Sequence, residues 1–90
     1  MNQVENRIEW TNKAIKQMLK LPAAASMEIL AKVKTLSAWP EVFGVVKLVN
    51  RSEYRLRVGR YRVFFNVYPG EKVTILQIEE VFKRNERTYS

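Results

Sequence analysis

"YRLRVGRYRVFF", residues 54–65, consists of two alternating runs hinged on one glycine. Successive side chains of a strand point to opposite faces, so Tyr54, Leu56 and Val58 share one face and Arg55 and Arg57 the other. In the second run, which continues to Tyr68, the apolar face carries Tyr61, Val63, Phe65 and Val67, leaving Arg60, Arg62, Phe64 and Asn66 opposite. Gly59-Arg60 between the runs is hairpin chemistry. A hairpin with its apolar faces aligned therefore gathers Arg55, Arg57 and Arg62 on its other face. Like charges on neighbouring strands repel, a cost that an anionic ligand among them would remove.

The pattern extends in both directions. Downstream, Pro69-Gly70-Glu71 is a turn and "KVTILQIEEV" (72–81) another strand. Upstream, "VVKLV" (45–49) precedes the turn "NRS" (50–52). Near the N-terminus "VENRIEWT" alternates Val4, Asn6, Ile8 and Trp10 against Glu5, Arg7 and Glu9, a strand with one buried face. Thr11 and Asn12 offer an N-cap for "KAIKQMLKL", whose Ala14, Ile15, Met18 and Leu19 recur at helical spacing. Pro22 interrupts that helix. From Ala23 to about Ser37, Met27, Leu30, Val33 and Leu36 mark a second one, closed by Trp39-Pro40 and the loop "EVFG". The short link makes the helices an antiparallel pair. The expected fold is α+β, in the order β-α-α-β-β-β-β. Its antiparallel sheet carries an N-terminal helical hairpin packed on one face.

Ninety residues allow one domain, 1–90, with one modest core. No cysteine and no histidine occur, which removes disulfides, thiolate sites, the commonest zinc ligand and the commonest general base. No cofactor or metal is expected. No apolar run approaches the ~20 residues of a membrane helix, and residues 1–10 lack a signal-peptide core, so the expectation is a soluble cytoplasmic protein without a membrane partner.

The net charge is +7, unevenly placed. Between Lys47 and Arg62 stand six bases (Lys47, Arg51, Arg55, Arg57, Arg60, Arg62) against one acid, Glu53. Such a field attracts phosphate backbones, and guanidinium forks match phosphate oxygens two at a time. The plain alternative is a solvated face partly neutralised by Glu53, Glu79 or Glu80. Beyond the last strand, "KRNERTY" (83–89) adds Lys83, Arg84 and Arg87 around a tyrosine. Without histidine, Tyr89 is the tail's candidate general base, since cationic neighbours favour the phenolate. A frayed tail without function is the bland reading of the same residues.

Taken together, "YRLRVGRYRVFF", "KRNERTY" and the loop-and-strand "GVVKLV" resemble the RelE/ParE toxin superfamily of bacterial type II toxin–antitoxin systems, RelE-like in particular. The resemblance spans nearly the whole chain. It implies a ribosome-dependent messenger-RNA endoribonuclease (mRNA interferase) that cuts by 2′-hydroxyl transesterification without metal. By position in the motif it implies catalytic roles for Arg55, Arg57, Arg62, Arg84 and Tyr89. Arginines stand at 55 and 57 where the usual pattern has lysines, and Arg87 is an alternative to Arg84. Lys47, Arg51, Arg60, Lys83 and Arg87 are the expected RNA-binding residues around them. The implied partners are a cognate antitoxin protein, forming a hetero-oligomer with the toxin, together with the ribosome and its messenger RNA.

Two other readings compete. A ParE-like inhibitor of DNA gyrase would not need the catalytic set. A non-catalytic RNA-binding module would show exposed aromatics for base stacking, and on the arginine face Phe64 alone offers one.

Overall fold

The structure, a computed structural model, describes residues 4–85. Strand β1 (Glu5–Trp10) leads into helices α1 (Asn12–Leu19) and α2 (Ala23–Lys34), and a 3-10 turn (Thr35–Ala38) follows. Four strands complete the chain: β2 (Val45–Lys47), β3 (Tyr54–Val58), β4 (Tyr61–Tyr68) and β5 (Val73–Lys83). The order is the expected β-α-α-β-β-β-β, with the helical hairpin on one face of a five-stranded sheet.

Across the sheet the strands run β1-β5-β4-β3-β2. The hairpin-linked strands β2 to β5 are antiparallel, as their short turns require. β1 departs from the expected all-antiparallel sheet, because it lies parallel to β5, with Glu5 beside Val73 and Trp10 beside Ile78. Turn chemistry dictates direction only between strands joined by a tight turn, and β1 reaches β5 through the whole intervening chain. β2 is shorter than its apolar run suggested: Leu48 and Val49 leave the ladder for a turn in which Asn50 has φ 60°.

The helix-side core is formed by Ala14, Ile29, Val33, Leu36, Leu56, Val58, Val63, Phe65, Leu76, Ile78 and Val81. Thr11 seats the helices against the sheet. Its hydroxyl oxygen accepts from the Ala14 N–H at 3.1 Å, capping α1, and donates to the Glu79 carbonyl at 3.2 Å.

A bulge in β5 decides what the opposite face carries. The β4–β5 register passes from Phe65 beside Ile78 to Phe64 beside Glu80, so β5 holds one extra residue. Unbroken alternation from Leu76 and Ile78 would send Phe82 into the core and Val81 outward. With the bulge, Val81 enters the core and Phe82 stands opposite Arg62. The Val81 N–H donates to Gln17 Oε1 at 2.6 Å, which fastens the rephased strand to α1.

Candidate active site

Directly paired residues of an antiparallel ladder lie on the same face, so the β3–β4 register settles where the arginines go. Arg55 pairs with Phe64 and Arg57 with Arg62, while on the other side of β4 Arg62 pairs with Phe82. The chain then continues past β5 so that the Arg84 N–H donates to the Arg60 carbonyl at 2.8 Å, which holds Arg84 beside the β3–β4 turn. Arg55, Arg57, Gly59, Arg62 and Arg84 line one cavity of about 360 Å³. No carboxylate contributes to its described lining.

Arg62 is the anchored member. Only 8% exposed, it donates from Nη1 to the carbonyls of Gly59, at 3.0 Å, and Tyr61, at 2.9 Å. Its guanidinium is thereby held against the turn at the cavity wall, while Arg57 and Arg84 are exposed. A buried apolar pair lies on the same face of the sheet, the rings of Phe64 and Phe82 meeting edge to face at 5.0 Å. Phe64 is fully buried, so it is not the exposed stacking platform that a simple RNA-binding module would present. The burial follows from its place between Arg55 and Glu80 in the ladder and from the bulge that turns Phe82 toward it.

The other expected contacts divide by position. Arg60 and Lys83, with Gly59, Arg84 and Asn85, line a second cavity of about 360 Å³ that shares Arg84 and Gly59 with the first. Lys47 pairs with Tyr54 and so faces the helix side of the sheet, away from the arginines. Arg51 lies in the β2–β3 turn, its Nη1 3.6 Å from Glu53 Oε1. Tyr89 and Arg87 lie outside the described residues. Among the described residues no group of three or more His, Cys, Asp or Glu could hold a metal ion. No described helix is long and apolar enough to cross a membrane.

Gly59 is a site residue that reading by residue type passed over. Its φ of +55° is the left-handed conformation that favours glycine, and a Cβ there would lie 3.3 Å from Glu28 Oε1. Replacing Gly59 with Ala should lower stability by about 1–2 kcal/mol, read as a shift in the urea midpoint, because the side chain meets backbone strain and crowding together.

Comparison with known proteins places this geometry in a family. The family model described as the ParE toxin of the type II toxin–antitoxin system, parDE, matches residues 8–86. The chain belongs to the ParE toxin family. Solved structures carry the same fold within a RelE/ParE-like toxin superfamily. An archaeal RelE–RelB complex from Pyrococcus horikoshii OT3 contains a chain 28% identical to this ParE-family protein, with a TM-score of 0.72, and the match covers 93% of this chain and 100% of that one. The isolated RelE toxin of E. coli is 20% identical at a TM-score of 0.71, over 91% of this chain and 86% of that one. The RelBE2 toxin–antitoxin complex of Mycobacterium tuberculosis is 20% identical at a TM-score of 0.74, over 90% and 100%. The last two likenesses speak to the fold. No curated protein sequence matches the chain.

Proposed function

We propose that this toxin is an endoribonuclease that cuts messenger RNA on the ribosome and is held inactive by a cognate antitoxin. The supporting observation is the cavity in which Arg55, Arg57, Arg62 and Arg84 converge from two strands and the segment after β5, with no carboxylate in its described lining. Like charges so close are costly in the free protein and favourable around a phosphate, whose oxygens take guanidinium groups in pairs.

The chemistry needs a base, an in-line phosphate and stabilisation of charge on the phosphoryl oxygens. Tyr89 takes the proton of a ribose 2′-hydroxyl. The 2′-oxygen then forms a bond to the adjacent phosphorus as the bond to the 5′-oxygen breaks. The products are a 2′,3′-cyclic phosphate and a 5′-hydroxyl, and no water or metal enters the step. Arg62 stabilises the charge gathering on the phosphoryl oxygens, Arg84 supports the departing 5′-oxygen, and Arg55 and Arg57 hold the phosphate in position. Arg60 and Lys83 extend the basic surface along the strand. The basic face suits an antitoxin with an acidic segment, and antitoxin-bound relatives of the same fold support such a partner.

Primer extension on cellular messages after a short pulse of expression tests this reading. Cuts within translated codons are expected from the native chain and not from Tyr89→Phe. Undiminished cutting by the variant removes Tyr89 from the mechanism. A second reading, inhibition of DNA gyrase, is favoured by the ParE family match. Intact messages alongside accumulated gyrase–DNA breaks would select it, and the arginines would then form a binding surface.

A further inference from the structure

A third cavity adjoins the arginine site on the helix side of the β3–β4 turn. It measures about 410 Å³ and is lined by Glu28, Ala31, Lys32 and Thr35 of α2 and its 3-10 extension, and by Arg57, Val58 and Gly59 of the hairpin. Arg57 and Gly59 line both this cavity and the arginine cavity, so the two communicate around the turn. Where the arginine site is uniformly cationic, this neighbour holds one carboxylate and one ammonium group.

Glu28 and Lys32 lie four residues apart on α2, the spacing that brings such a pair together on a helix surface. They make no ion pair among those of the described residues, which join Arg7 to Glu5, Lys13 to Glu80 and Arg51 to Glu53. Glu28 instead stands over Gly59, its Oε1 at 3.3 Å from where a Cβ would be. A carboxylate beside a phosphate-binding site repels phosphate, which suits the cavity to an uncharged part of the ligand. In RNA the part nearest a phosphate that is neither charged nor sugar is a base.

We propose that this cavity receives the base adjoining the phosphate held by the arginines, and that it selects guanine. The inference rests on the phosphate-binding reading of the arginine cavity. The Watson–Crick edge of guanine presents two adjacent donors, N1–H and N2–H, and then the O6 acceptor. The Glu28 carboxylate accepts from both donors, and the Lys32 ammonium donates to O6. Cytosine and adenine offer one exocyclic amine beside an acceptor nitrogen, which a carboxylate repels. Uracil offers one N–H flanked by two carbonyls. Gly59 keeps the passage between base and phosphate clear, since any side chain there would project toward Glu28.

The test is equilibrium binding of 2′-O-methyl dinucleotides, which cannot be cleaved, to the full chain, with guanine, inosine, adenine or cytosine at either position. Guanine should bind about tenfold or more tightly than inosine at one of the two positions, because inosine lacks only the N2 donor. Glu28→Gln should bring that guanine-to-inosine ratio close to one, a ratio in which any general charge effect of the variant cancels. Equal binding of the four bases by the native chain, or a ratio unchanged in Glu28→Gln, overturns the proposal. Ribose 5-phosphate, which has no base, reports on the arginine cavity separately. If it fails to compete while guanine is still preferred, the phosphate reading is wrong and the base pocket stands.

Discussion

Replacing Arg62 with Lys is expected to slow messenger cleavage on programmed ribosomes by about 10²–10³-fold, the usual loss when a donor to transition-state charge is removed. The substitution keeps the positive charge, so the expected loss comes from geometry. In the native chain Nη1 is committed to the carbonyls of Gly59 and Tyr61, and the planar group it belongs to lines the cavity from that fixed position. An ammonium is a point charge on a flexible stem, able to hold the turn or to follow the phosphate but lacking the fork that does both. Single-turnover rates measured beside thermal denaturation separate the two roles. A rate within a factor of three of the native one at unchanged stability would show that a positive charge in this place is sufficient.

How far the site was legible follows from the same strands. Alternation alone placed Arg55, Arg57 and Arg62 on one face, because strand periodicity is strict and the Gly59-Arg60 turn leaves little freedom of register. It failed where the period is broken. Phe82 reaches the arginine face only through the extra residue in β5, and nothing in "QIEEV" announces a bulge; its cause lies in bonds from Thr11 and Gln17, more than sixty residues away. The parallel pairing of β1 was hidden for a related reason, since it depends on which sheet edge the helical hairpin leaves open. Phe64 misled because alternation gives the face of a side chain and not what covers it. Glu28 and Lys32 carry no motif, and their relevance emerges only when α2 is seen to end against the β3–β4 turn.

Truncating Phe65 to Ala should cost about 3–5 kcal/mol of unfolding free energy, a large share of the ~5–15 kcal/mol that holds a domain together. Phe65 is fully buried at the point where β4 meets the β5 bulge. Its ring lies 5.5 Å from Tyr54 in a stacked arrangement and 5.6 Å from Trp39 edge-on, while Trp39 meets Tyr54 at 4.9 Å. These three rings join β3 and β4 to the segment that ends the helical layer. Asn6 reinforces the same junction from β1, its side-chain N–H groups donating to the Ser37 and Trp39 carbonyls at 2.9 Å. Removing the central ring leaves a cavity that neither sheet nor helices can close without moving the other. The melting temperature should fall by at least about 12 °C, since 1 kcal/mol shifts a domain of this size by roughly 4–8 °C. Below the new midpoint, affinity for ribose 5-phosphate should change little, because the arginines project from the opposite face of β3 and β4. A small thermal shift would mean that the ring cluster closes over the gap. Lost phosphate affinity in the still-folded variant would mean instead that the hairpin's arginine face depends on the packing beneath it.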